Sequence, residues 1–478
     1  MNIKKILHFS IGPIGSALLS LITLPFVAWF FSVEDVGRLT MLQIVLALSV
    51  TLFSMELHQA YVREYNEEED KGALLKHAAL PGLVLFSLLS ILFVFSPWSI
   101  SKLLFDIDSG FLSLLLLFGI FCSYIINFLA HVVRMEERGL AFSATQILPK
   151  LSLLFFIGLI FLLDLNADFE NLMVMNILSI GSSLCIFAWL TKKTWLNAIG
   201  KSINKELLNR MFGFSLPLVA GGMSFWGLTT MDRLFLRTLT SFEELGVYAL
   251  SVSIAGTISV VASIFSNLWH PVLYKWVKEG IDKGKVLNLI EVMTFSLCFI
   301  WSLVGALSFI LLYFLPKEYA GVEYLVVACI AIPIFTMWSE TTGVGIGITR
   351  RSSFSMFASL LAFLVNAVLN YILIPYFGAS GAAISTLIAF FIIFIVRTEA
   401  TAKIWWSFPR WKVYFLATSY VITTIVMVLA KAKFEYLPIL WLLLFMCASI
   451  LYGNILQAGA VGGRKFLLKF KLQYSKHE

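Results

Sequence analysis

Apolar residues run along this chain in unbroken blocks separated by short polar segments, and they do not alternate with polar ones. A block of roughly 20 residues is what one α-helix needs to cross a hydrocarbon core about 30 Å thick, whereas the strands of a membrane barrel alternate apolar and polar positions. Read in order, the blocks predict fourteen spans, near 9–31, 39–62, 78–96, 111–133, 141–163, 171–191, 212–236, 246–270, 287–315, 322–347, 354–376, 379–396, 413–430 and 437–457. The fold class expected is all-α, a polytopic membrane protein of about fourteen transmembrane helices. The first block follows Lys4 and Lys5, exceeds a signal-peptide core in length and has no small-residue cleavage site after it, so it should be retained as the first span.

Composition agrees with this reading: 59% of the 478 residues are hydrophobic and 13% charged, which excludes a string of soluble domains. The net charge of +7 matters through its distribution across the membrane, and nucleic acid is not an expected partner. With the N-terminus inside, the inner segments carry 27 Lys and Arg against six outside, namely Arg38, Lys102, Arg237, Lys317, Lys431 and Lys433. That asymmetry puts both termini in the cytoplasm and supports an even number of spans. Cys122, Cys185, Cys298, Cys329 and Cys447 all lie in apolar runs without C-x-x-C spacing, so neither a disulfide nor a metal site is expected, and no cofactor. The aromatic residues are expected mostly to face lipid.

An internal repeat accompanies the spans. Ser32-Val-Glu-Asp-Val-Gly37 after the first span matches Ser241-Phe-Glu-Glu-Leu-Gly246 after the seventh, an offset of 209. Arg138-Gly-Leu-Ala-Phe-Ser143 matches Arg350-Arg-Ser-Ser-Phe-Ser355 at an offset of 212. Two nearly equal offsets imply two parallel six-helix lobes, 1–191 and 212–400, joined by a basic cytoplasmic linker, 192–211, and followed over 401–478 by two extra helices and a basic tail. Paired lobes with a cavity between them form a transporter design.

Phe214-Ser-Leu-Pro217, Met231-Asp-Arg-Leu-Phe-Leu236 and Glu244-Leu-Gly-Val-Tyr-Ala-Leu250 together resemble the start of the second lobe in polysaccharide flippases of the O-antigen (Wzx) type. Leu24-Pro25 followed by Ser32 to Gly37 is similar to that family's first helix and first outer loop. The resemblance covers most of the first twelve spans and extends to the multidrug, oligosaccharidyl-lipid and polysaccharide exporter superfamily. It implies export of an undecaprenyl-pyrophosphate-linked oligosaccharide across a bacterial inner membrane by alternating access, with polysaccharide polymerase machinery as a candidate partner.

The intramembrane charges give candidate site residues, because a charge at the bilayer centre costs roughly 2.5–3.5 kcal/mol unless a partner, water or snorkelling offsets it. Lys150, about ten residues into the fifth span, lies near the midplane. It is either a cavity-lining cation or a structural lysine that snorkels along its helix. Arg233 and Arg237, one turn apart near the outer end of the seventh span, are further candidates for a cationic cavity, with an interfacial ion pair to Asp232 as the alternative. Arg63 and Arg134, at inner span ends, either line the inward mouth or serve as topology signals. Glu56, Glu340 and Asp232 are candidate coupling acids, or static partners of a cation. Thr341-Thr342-Gly343-Val344-Gly345-Ile346-Gly347 lacks the lysine of a phosphate loop, and reads as close helix packing.

The expectation is thus a non-enzymatic flippase of lipid-linked oligosaccharide, embedded in membrane lipid. A multidrug or metabolite antiporter would favour an acidic cavity, and a polymerase or ligase would need a large outer catalytic loop; the longest here, Ser96 to Gly110, is too short.

Overall fold

The computed structural model describes residues 3–96, 98–278, 280, 283–431 and 437–453, all of the regular structure among them helical. The basic tail and the last inner cations expected from the sequence lie outside these residues.

The helices are α1 (Ile3–Phe30), α2 (Val33–Ser54), α3 (Leu57–Glu64), α4 (Lys71–Val94), α5 (Ile100–Phe105), α6 (Gly110–Met135), α7 (Gly139–Leu162), α8 (Phe169–Leu190), α9 (Lys192–Ile199) and α10 (Lys205–Leu239). They continue as α11 (Phe242–Lys278), α12 (Lys283–Leu307), α13 (Val322–Cys329), α14 (Ala331–Thr342), α15 (Val344–Ile348), α16 (Ser353–Phe377), α17 (Ala379–Ile404), α18 (Trp411–Leu429) and α19 (Leu437–Leu451). Every expected block coincides with a helix or a series of helices. Among the described residues, twelve are long and apolar enough to span a membrane. A thirteenth, α10, bends by 45° between its Lys205–Ser224 and Trp226–Leu239 parts, and α19 supplies the shorter apolar stretch Pro438–Leu451. The chain is a multi-pass membrane protein.

Two expected spans are interrupted. The second breaks where Met55 and Glu56 adopt left-handed backbone (φ 46 and 56), an uncommon conformation for residues with a Cβ. The tenth is divided into α13, α14 and α15, with α15 beginning after Gly343.

By internal contacts the chain forms two compact units, Met1–Val260 with Leu315–Tyr319, and Val261–Phe314 with Ala320–Glu478. In the first unit α2 packs on α6 and α10, while α7 joins α1 to α8. In the second, α17 is the central helix, in contact with α14, α15, α16 and α18. The expectation that aromatic residues mostly face lipid holds only in part in this second unit, where Tyr371, Tyr376 and Trp411 are exposed but Trp301, Trp338, Phe335, Tyr420 and Trp441 are fully buried. Lipid tails are as apolar as a phenyl ring, so helices associate through close packing and hydrogen bonds, and large rings with a polar handle serve both. Trp338 Nε1 donates to Thr294 Oγ1 at 2.9 Å, and Ser302 Oγ lies 2.6 Å from the Tyr420 hydroxyl. Rings face outward in both units: Trp98 of the first is 77% exposed and Tyr376 of the second 81%.

Within the first unit the two copies of the repeated motif meet. Ser32 caps α2 by accepting from the Asp35 amide, and Ser241 accepts in the same way from Glu244. A Cβ on Gly37 would stand 2.0 Å from the carbonyl oxygen of Phe242, and one on Gly246 would stand 2.3 Å from that of Val33. Each motif's glycine therefore admits the backbone of the other, a reciprocal seam that no larger residue permits.

Candidate functional site

The face of α1 toward α7 is built from small residues. Gly12 and Gly15 bring α1 so close that a Cβ at either would clash at 2.8 Å, with Ser143 and with Ile147, and the Gly12 amide donates to Ser143 Oγ at 2.9 Å. One turn further along this seam Lys150 meets Ser16 and Ser20. Its ammonium donates to the Ser16 carbonyl at 2.8 Å and to Ser20 Oγ. Two of three ammonium donors are thereby engaged, both by neutral oxygens, and no carboxylate pairs with Lys150 among the described residues. Sequence reading located this lysine but not its partners, although the small-residue stripe Gly12, Gly15, Ser16 and Ser20 was the available signal.

Lys150 faces a cavity of about 380 Å³ enclosed by α1, α2, α7, α10 and the first part of α11. Its polar lining comes from Ser20, Thr23, Thr40, Gln43, Thr230 and Ser253, together with Lys150 and Arg233. Among the described residues no acidic side chain lines it. The Arg233 Nε is buried without a hydrogen-bond partner, so the second cation also holds an unused donor. A neighbouring cavity of about 300 Å³ shares Lys150, Gln43, Ala47 and Leu153 and continues toward Ser123, Asn176 and Ser179. Two cations, hydroxyls and an amide, with no counter-charge, form a surface that suits an anion carrying hydrogen-bonding groups.

The other candidates from the sequence lie elsewhere. Arg237 pairs with Asp106 at 2.8 Å, donates to the Leu104 carbonyl at 3.3 Å and lies over the Phe242 ring, which holds it outside the cavity. Asp232 accepts from the Arg233 amide at 2.8 Å and from the Tyr248 hydroxyl, in a buried setting apart from the lining. Arg63 is more than half exposed and lies over Phe214, and Arg134 lies over Phe142; neither lines the cavity. Glu56, at the left-handed break before α3, sits 3.4 Å from His58 Nε2, and the His58 and His131 rings are 4.7 Å apart. This ring contact joins α3 to α6. Glu340 belongs to the second unit, where it pairs with Arg397 at 3.2 Å.

The profile of a family described as "Polysaccharide biosynthesis protein" matches residues 3–277, more than half of the chain. An uncharacterized membrane protein of Haemophilus influenzae is 32% identical over 118 residues, 24% of this chain; the matched region spans only 28% of that relative's length. Among solved structures, the lipid II flippase MurJ in an inward closed conformation superimposes with a TM-score of 0.65 at 14% identity, covering 95% of this chain and 99% of that one. An inward-facing multidrug resistance MATE transporter of the MOP superfamily gives 0.55 at 13% identity, covering 83% and 95%. Its outward-facing counterpart gives 0.51 at 16%, covering 83% and 94%. At such identities the likeness is one of fold. Taken with the profile that spans most of the first unit, it leads to one conclusion: the chain belongs to the polysaccharide biosynthesis protein family and has the fold of the MOP superfamily.

Proposed function

We propose that the protein is a flippase that moves an undecaprenyl-pyrophosphate-linked oligosaccharide from the inner to the outer leaflet of a bacterial cytoplasmic membrane, for surface polysaccharides of the O-antigen or lipopolysaccharide kind. The observation that carries this reading is the cavity holding Lys150 and Arg233 with no acidic residue in its lining. In the proposed cycle these two cations take the pyrophosphate, the hydroxyls and Gln43 take the sugar nearest to it, and the polyprenyl tail stays in lipid. At about 380 Å³ the cavity accommodates the phosphates and not a whole oligosaccharide, so further opening belongs to the cycle. Two parallel lobes, 1–191 and 212–400, would carry the motion, with 401–478 as an added element and both termini in the cytoplasm. An antiporter of cationic compounds from the same superfamily calls for an acidic cavity, which this lining disfavours.

The experiment is deletion of the gene followed by lipid-linked glycan analysis. Unpolymerised repeat units should accumulate on the cytoplasmic face. Accumulation on the outer face would point to a defect in the polymerase or ligase step and would overturn the flippase reading.

A further inference from the structure

The second pair of repeated segments takes different forms in the two halves. In the first, Arg138 Nη1 donates to Glu136 Oε2 at 3.3 Å and to the Leu190 carbonyl at 3.0 Å. In the second, Arg350 stands in left-handed backbone (φ 56) after α15, exposed, and no carboxylate pairs with it among the described residues. It lines a separate cavity of about 380 Å³ with Arg397 of α17, Ser352 and Ser355 at the start of α16, and Ile346 and Gly347 of α15.

The charge and the donors of this cavity are incompletely used. Arg397 is about four-fifths buried; its Nη1 meets Glu340 Oε1 at 3.2 Å, while its Nε is buried with no hydrogen-bond partner. Two guanidinium groups against one carboxylate leave a net positive charge. Ser352 is the N-cap of a 25-residue helix, and its side chain caps no amide; although the Arg351 carbonyl already takes the Phe354 N–H, the start of α16 adds the positive end of the helix dipole. The wall beside it is interfacial in character: Gly345 of α15 is packed against Trp405, next to Trp406, and Lys403 lies in the last turn of α17.

We infer that this cavity binds a phosphoester or phosphate anion, from an anionic lipid headgroup or from free phosphate. Arginine forks, serine hydroxyls and helix N–H groups match the oxygens of a tetrahedral anion, and basic pockets between helices at a membrane interface are where such headgroups dock. The site belongs to the second unit and stands independently of the Lys150 cavity and of the flippase reading.

The test uses the full-length protein in a neutral detergent, titrated with dioctanoyl phosphatidylglycerol, with inorganic phosphate at constant ionic strength, and with dioctanoylglycerol, which lacks phosphate. Binding is read by thermal stabilisation and native mass spectrometry. Saturable binding of the first or second probe, but not the third, is expected. Arg350→Asn, which tolerates left-handed backbone, should weaken it about tenfold, and Ser355→Ala should weaken it by a smaller factor. Arg351→Ala, an exposed neighbour absent from the lining, should leave it unchanged. A preference for the lipid over phosphate assigns a headgroup; equal affinity assigns free phosphate. Equal binding of dioctanoylglycerol, no effect of either Arg350→Asn or Ser355→Ala, or an equal loss in Arg351→Ala would overturn the inference.

Discussion

Lys150→Met removes a charge from the middle of the apolar helix α7 and keeps most of the side-chain volume. The native ammonium makes two hydrogen bonds, to the Ser16 carbonyl and to Ser20 Oγ. Bonds to a charged donor contribute about 1.5–3 kcal/mol each, while holding the charge at depth costs about 2.5–3.5 kcal/mol. The two effects offset in part, and the net loss of stability lies between about −0.5 and 3.5 kcal/mol, so the variant should fold. Transport is affected differently. If the remaining ammonium donor meets a phosphate oxygen, its loss removes one charge-assisted contact of about 1.5–3 kcal/mol, a weakening of about 10- to 100-fold at 1.4 kcal/mol per tenfold. The assay is export of lipid-linked repeat units in a deletion strain, normalised to folded protein by size-exclusion fluorescence. Lys150→Arg should keep part of the activity because the contact is between point charges. Wild-type export per folded Lys150→Met molecule would refute the assignment, and loss of folded protein in Lys150→Met would show the lysine to be structural.

Four further outcomes are expected. Arg233→Ala should lower export with little loss of folded protein, because its Nε satisfies no partner, whereas Arg237→Ala should lower the melting temperature and leave export per folded molecule near normal, because it breaks the contacts to Asp106 and Leu104. Gly37→Val or Gly246→Val should abolish folded yield in detergent, since the new Cβ meets backbone at 2.0 or 2.3 Å, while Gly110→Val, with nothing nearby, should not. Asp70 pairs with Lys201 at 2.6 Å, and that hydrogen bond holds its carboxyl below the usual carboxylate range. A lowered pKa contributes stability above the ordinary value of about 3.9 and loses it as pH falls through the lower folded value, so exchange of the 200–204 amides should rise only in strong acid, and should be faster at neutral pH in Asp70→Asn. Reporters fused after Trp195 and after Asn166 should read as cytoplasmic and external; reversal would refute the proposed orientation.

The sequence by itself determined the membrane class, the approximate limits of the long apolar helices, and the place of Lys150 midway along one of them. These are local properties, since an apolar run long enough to cross lipid must be helical wherever it packs. It also showed the Ser32–Gly37 and Ser241–Gly246 repeat, although not that the two glycines face each other's backbone. Only the tertiary structure decided which charges share a cavity. Arg233 and Arg237 are one turn apart on α10, yet one lines the cavity and the other is held by Asp106 from beyond α5. Glu56 meets His58 at the left-handed break, and Arg397 and Arg350 line one cavity. In lipid a buried charge is placed by the nearest oxygen or carboxylate that another helix presents. That choice depends on helix rotation and close approach, here set by glycines and serines whose contacts lie more than a hundred residues away along the chain.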